Sequence, residues 1–206
     1  MLGRVTPGSL ADRAGGETLA HRNTAATAPG RMTIVPLSTL AAGAIEGLLD
    51  RAFGADRQLR TAYRLRAGTE AIGPLSFAAV DTAGGLIGSI QCWPVALVGD
   101  DVRRWPMVLV GPVAVEPAVQ RGGVGRALMR HMLEVADADA SRTTEAGFGA
   151  LMLIGDPEYY GRFGFDDAAT GGWRLPGPFE PRRLLARGAS VQAIAGDVEP
   201  RERVTA

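Results

Sequence analysis

The densest apolar patterning lies near the middle of the chain. Met107 to Val110 is a continuous hydrophobic run, broken at Gly111-Pro112, resumed at Val113-Ala114-Val115 and ended by Glu116-Pro117. Such a run, bounded by turn residues, predicts a strand buried on both faces. Past a turn rich in glycine, Gln120 to Gly125, the period lengthens. Ala127, Leu128, Met132, Leu133, Val135 and Ala136 recur every three to four positions, which predicts an amphipathic helix. Upstream, Met32–Leu37 predicts a short first strand. Ser38 or Thr39 then caps a helix carrying Leu40, Ala44, Ile45, Leu48, Leu49 and Phe53, stopped by Gly54. A second helical stretch, Asp56–Arg66, holds Leu59, Tyr63 and Leu65 among arginines. Leu75–Asp81 and Leu86–Val98 read as a hairpin turned at Thr82–Gly85, with Pro94 expected to bend or end the second strand. Downstream, Gly147–Ile154 predicts a second buried, parallel strand. Asp156-Pro157 then opens a short helix, with aspartate at the N-cap and proline at the first position. Gly171–Pro178 reads as loop or strand, Glu180–Arg187 as a short helix and Val191–Ile194 as a last strand.

The succession of strand, glycine turn and helix is an anion site in outline. The first turn of a helix carries N–H groups with no internal partner, and the aligned peptide dipoles add partial positive charge there. Glycine lets the backbone approach a phosphate closely, and Arg121 and Arg126 place charge beside it. The chain contains no lysine, which excludes a Walker A loop. The dinucleotide fingerprint fails because Leu128 occupies its third glycine position. Pro112 adds a second feature. A proline inside a buried strand is tolerated mainly at a bulge, where neighbouring backbone groups lose their partners and become available to a ligand.

Composition narrows the class. The chain has 206 residues, 46% of them hydrophobic, enough for one domain with tails. We read residues 1–30 as a flexible extension, 31–198 as the domain and 199–206 as a tail. Twenty-two basic and twenty-two acidic residues balance to a formal net charge of zero, so neither nucleic acid nor an anionic membrane is expected as a partner. Arginine without lysine, amid abundant alanine and glycine, points to a GC-rich bacterial genome. The single Cys92 cannot form an internal disulfide, and it reads as a small hydrophobe in a strand rather than a nucleophile. No apolar segment reaches 18 residues and the N-terminus lacks the apolar core of a secretory signal, which makes a cytoplasmic location the expectation. No cluster has metal-ligand spacing, so no metal is expected.

Gln120-Arg121-Gly122-Gly123-Val124-Gly125 resembles the Q/R-x-x-G-x-G/A motif of the GNAT superfamily of N-acetyltransferases. Tyr160-Gly161-Arg162-Phe163-Gly164-Phe165 resembles the Y-x-x-x-G-F signature that closes the same fold. The resemblance implies a mixed α/β fold: a mostly antiparallel central sheet with a splayed parallel pair, flanked by helices on both faces. It implies acetyl-CoA as co-substrate, with direct acetyl transfer to a primary amine on a small molecule or a protein. Gln120, Arg121, Gly122, Gly123, Val124, Gly125 and Arg126 would hold the diphosphate. The backbone of Val113, Ala114 and Val115 would hold the pantetheine arm and the thioester carbonyl, and the two helices before the hairpin would wall the acceptor groove. Dimers are frequent in the superfamily, which leaves a homodimer open.

Tyr160 is the candidate proton donor to the departing thiolate and a cofactor contact, because it occupies the tyrosine position of the signature. A phenol, with an ordinary pKa of about 10, is protonated at neutral pH. Tyr159 reads as packing. Glu116, directly beyond the central strand, is the candidate general base, with Glu70, Asp81, Glu158 and Asp166 as further carboxylates. His131 reads as a core or surface residue of the long helix, and His21 falls in the extension. A second reading is a catalytically weak acyl-CoA sensor or interaction module on the same fold.

Overall fold

The computed structural model describes residues 32–139 and 148–201. The expected N-terminal extension, with His21, lies outside the described residues. The strands are β1 (Thr33–Pro36), β2 (Phe77–Val80), β3 (Leu86–Gly99), β4 (Arg104–Val115), β5 (Leu151–Ile154), β6 (Trp173–Arg174), β7 (Leu184–Arg187) and β8 (Gly196–Pro200). They form one sheet in the order β1-β2-β3-β4-β5-β7, with β8 beside the second half of β3 and β6 beside β8. Pairing is antiparallel except for β4 with β5 and β6 with β8. The helices are α1 (Ala42–Phe53), α2 (Thr61–Arg64), α3 (Val124–Asp139) and α4 (Pro157–Tyr160). This is the mixed, mostly antiparallel architecture expected from the sequence.

Two cores sandwich the sheet. On one face α3 buries Val124, Leu128, Met129, Met132, Leu133 and Ala136 against Ile90, Cys92, Val108 and Val110. On the other, α1 buries Ile45, Leu48 and Leu49 against Ala78 and Ala114, while Leu65, just after α2, joins Val95, Leu97, Met107 and Leu109. At about 1.5–3 kcal/mol per buried aliphatic side chain, these stripes are what dock the helices. Gly88 lets α3 lie flat on β3, because a Cβ there would come within 2.6 Å of Val124 and 3.1 Å of Leu128.

Several local expectations changed. β3 runs through Pro94 without a break. Pro94 pairs with Val108, and its carbonyl accepts from Arg201 N–H on the opposite edge. In a strand a residue's N and O point to the same side, so the missing N–H faces Arg201 and costs no bond to β4. The Asp56–Arg66 stretch is a 3₁₀ turn, Ala55–Leu59, followed by the short α2. Glu180–Arg187 is a single turn leading into β7, and the last strand is Gly196–Pro200 rather than Val191–Ile194.

Central to the site is where β4 leaves its neighbours. Cys92 pairs with Val110 and Ile90 with Val113, so β4 spends three residues where β3 spends two. The extra residue makes a bulge at Gly111-Pro112, as Pro112 suggested. On its other side β4 pairs with β5 at only two positions, Val108 with Leu151 and Leu109 with Met152. Beyond them the parallel strands part.

Candidate active site

The space opened by that divergence is a cleft of about 420 Å³, within the usual range for small-molecule sites, about 300–1,000 Å³. Its back wall is Val113 and Val115 on β4; its floor is Gln120, Gly123, Gly125 and Arg126 at the start of α3. Ala52 and Phe53, from the end of α1, face Tyr159 and Arg162 across it.

Backbone direction decides what the wall offers. Glu116 N–H donates to Ile87 on β3 at 2.9 Å, and Ala114 shares its parity. Val113 and Val115 therefore turn their N–H and C=O groups the other way, to the edge that carries no strand among the described residues. Ala114 is fully buried, with its methyl under α1.

The floor follows from one glycine. Gly123 adopts φ +77°, a left-handed turn that a non-glycine residue enters only at a cost, and it reverses the chain from the 3₁₀ turn of Pro117–Gly122 into α3. Arg121 and Gly122 are the last two residues of that turn. Hydrogen bonding within α3 begins with Ala127 N–H donating to Gly123 O at 3.0 Å. The N–H groups of Val124, Gly125 and Arg126 are thus not used by the helix and point out of its N-terminus. Val124's side chain is buried, so only its backbone is available. Arg126 is exposed and lines the cleft. With no Cβ, Gly125 leaves room between Val115 and the Tyr159 hydroxyl, which lie 3.3 and 3.6 Å from where one would stand. The result is a concave, cationic, donor-rich surface: a phosphate site joined to an open strand edge.

Of the two adjacent tyrosines, which the sequence reading divided into Tyr160 for chemistry and Tyr159 for packing, Tyr159 is in the cleft lining, with the Arg162 guanidinium 4.9 Å from its ring centroid. Tyr160 stands behind it, packed on the Gly155 backbone and edge-on to Tyr159 and Phe165. Burial pushes its phenol up to about 12, helped by neighbouring Tyr159 and Asp156 and opposed by Arg183. Asp156 does occupy the N-cap of α4 and Pro157 its first position, although the Asp156 carboxylate makes no capping bond.

The carboxylates are mostly committed elsewhere. Glu116 accepts from Arg51 at 2.9 Å and is not part of the cleft lining. It is also five residues beyond Gly111, about 16 Å along an extended strand. Asp81 caps the β2–β3 turn and Asp166 the N–H of Ala168. Glu158 is exposed beside Arg182. His131 packs edge-on against Phe77. Cys92 is fully buried, which pushes its thiol far above the ordinary range. Among the described residues no group of three or more His, Cys, Asp or Glu could hold a metal ion, and no helix is long and apolar enough to cross a membrane.

Ala52, Phe53 and Arg162 were not foreseen. The first two reach the cleft only because α1 ends above β4, a long-range apposition with no local signal. Arg162 had one: it falls three residues after Tyr159, the spacing of neighbours on a helical surface.

Residues 74–167 match the family model described as "Acetyltransferase (GNAT) domain". YhbS of Escherichia coli strain K12, described as an uncharacterized N-acetyltransferase, is 32% identical over 125 residues, which is 61% of this chain and 68% of that protein. The crystal structure of Escherichia coli YhbS in complex with CoA superposes with a TM-score of 0.64 at 25% identity, covering 83% of this chain and 90% of the other. A Brucella melitensis GNAT family acetyltransferase in complex with acetyl-CoA shares the fold, with a TM-score of 0.54 at 23% identity over 83% and 96% of the two chains. With its strand, glycine turn and helix, its parted parallel strands and the 32% identity to YhbS, the chain belongs to the GNAT family of acetyltransferases.

Proposed function

We propose that this protein transfers the acetyl group of acetyl-CoA directly to a primary amine. The observation that carries the reading is the meeting, in one cleft, of the α3 N-terminus and the free backbone edge of Val113 and Val115. A diphosphate has the first as its partner, through the N–H groups of Val124, Gly125 and Arg126 with Arg126, Gln120 and Arg121 around them. The pantetheine amides have the second, bonding β4 where β5 has turned away. The thioester then lies near the bulge, where a strand N–H aimed at its oxygen stabilises the charge that grows during attack.

In this mechanism a neutral amine attacks the carbonyl carbon, the C–S bond breaks and CoA departs as thiolate. Tyr160 is the proposed partner of the sulfur. At about 12 its phenol stays protonated throughout the neutral range. It is a weaker acid than a thiol of about 8.5, so it acts by hydrogen-bonding the thiolate rather than by surrendering its proton outright. Tyr159 is proposed to hold the arm from the Gly125 side. With Glu116 engaged by Arg51, the amine's proton leaves through water. The test is calorimetric titration with acetyl-CoA, followed by thiol release and product mass with a panel of amines. No binding of acetyl-CoA would end the reading; binding without transfer to any amine would favour the sensor.

A further inference from the structure

Outside the cofactor cleft, the side chain least compensated among the described residues is Arg66, two residues past α2. Its guanidinium carbon lies 4.1 Å from the ring centroids of both Tyr63 and Trp93, so two aromatic rings pack against it. Nη2 donates to Gln91 Oε1 at 3.2 Å. Nε and Nη1 are shut off from solvent without a partner among the described residues, and so is Trp93 Nε1. No carboxylate among the described residues stands within ion-pair distance of Arg66.

Arg57 shows how the same wall treats a buried arginine that serves structure alone. It is 2% exposed, bonded to Asp50 at 2.8 Å, and also to Glu46 and the Tyr63 hydroxyl. Each of its three guanidinium nitrogens has a partner. At Arg66, a positive charge and two buried donors, with Trp93 packed beside them, have no answering anion among the described residues. Such an arrangement is strongly unfavourable unless something else satisfies it.

Location indicates what that something is. Ile90 and Cys92 face α3, so Gln91 and Trp93, which alternate with them, point to the opposite side of the sheet, where Arg66 meets them. Gln91 stands opposite the bulge, since its neighbours Ile90 and Cys92 pair with Val113 and Val110. The Arg66 cluster therefore sits about two strand spacings, roughly 10 Å, from the open side of β4 where the thioester is proposed to lie. We propose that Arg66, with Trp93 Nε1, binds the carboxylate of the acceptor, so that the substrate is a small amino-carboxylate whose amine is only a few bonds from its acid group. This inference rests on the acetyl-CoA reading of the cleft.

A carboxylate fits better than a phosphate for two reasons. Two rings crowd the guanidinium, which favours an edge-on partner in its plane, and a planar oxyanion matches that. The nearby charge of Arg57 is already met by Glu46 and Asp50, so one unmatched positive charge remains, suited to a monoanion. Burial lowers the Arg66 pKa, while Tyr63 and Glu46 raise it; an arginine so placed still carries its charge at neutral pH.

The test uses the full-length protein, acetyl-CoA and matched amines: glycine, β-alanine and L-leucine, each against its own primary amide. Amidation removes the negative charge and lowers the amine pKa, which by itself favours the amide. We expect the carboxylates to have kcat/KM about 10- to 100-fold higher. The Arg66→Met variant keeps an apolar stem between Tyr63 and Trp93. It should erase that preference through KM, leaving kcat and acetyl-CoA affinity near wild type. Arg66→Lys, which keeps the charge, should retain part of it. Wild-type protein that binds acetyl-CoA but treats amides as well as carboxylates, or acetylates no carboxylate, overturns this inference alone. An intact preference in Arg66→Met does the same. Absence of acetyl-CoA binding would instead remove the parent reading, and this inference with it.

Discussion

Gly123 separates the two physical requirements of the proposed diphosphate site, backbone conformation and charge. A residue with a side chain at φ +77° costs about 1–2 kcal/mol in left-handed strain. Alanine there meets no obstacle, since the nearest atom to its Cβ would be Arg126 Nη2 at 3.4 Å. Gly123→Ala should therefore lower the thermal midpoint by about 2–8 °C, with acetyl-CoA affinity within a few-fold of wild type. Gly123→Glu carries the same strain and adds a carboxylate on the floor. One negative charge about 5 Å from another, at an effective dielectric near 20, is worth about 3 kcal/mol. Acetyl-CoA should bind Gly123→Glu about 100-fold more weakly than Gly123→Ala. The pair cancels the strain, so the difference reports electrostatics, and it should shrink as ionic strength rises. Calorimetry with acetyl-CoA reads the affinities and thermal unfolding checks the fold. Equal affinities in the two variants would refute the diphosphate assignment.

Other expectations follow from particular contacts. Tyr160→Phe should lower kcat by about 10- to 100-fold, the value of a hydrogen bond to a charged group, with little change in acetyl-CoA affinity; Tyr159→Phe should chiefly weaken that affinity. A reversal of the two patterns in steady-state kinetics would exchange their roles. Because the Tyr160 phenol is raised from about 10 when unfolded to about 12 when folded, its contribution to stability is intact below pH 10 and is lost as pH climbs towards 12. The thermal midpoint of wild type should fall over that window more steeply than that of Tyr160→Phe. Arg57→Met removes the bonds to Glu46, Asp50 and Tyr63 but leaves carboxylates that are half exposed. We expect a loss of about 2–3 kcal/mol in denaturant unfolding, and a variant as stable as wild type would show that the network is dispensable.

Much of the scaffold was legible because its signals are local. The period of α3, the apolar run of β4 and the proline at its bulge each follow from a short stretch of residues. So does the Gly123 turn. What sequence left open depends on apposition. Pro94 was expected to interrupt a strand, yet its missing N–H faces an edge where β4 makes no demand. β7 and β8 were misplaced because strands this short, at the margins of a sheet, are defined by their partners rather than by their own pattern. At the site, the glycines and β4 valines were marked by motif. Phe53, Tyr159 and Arg66 were not, because their roles come from α1, α4 and α2 converging on the bulge. Adjacent tyrosines on a one-turn helix face different ways, a distinction that no spacing rule at that length supplies.

The central claim is that the α3 N-terminus and the free edge of β4 hold coenzyme A together. A crystal structure of this protein with acetyl-CoA tests it most directly. The account predicts diphosphate oxygens within about 2.7–3.2 Å of the N–H groups of Val124, Gly125 or Arg126, and pantetheine amides bonded to the backbone of Val113 and Val115. Cofactor bound elsewhere, with the Val113–Gly125 cleft unoccupied in that complex, would contradict it.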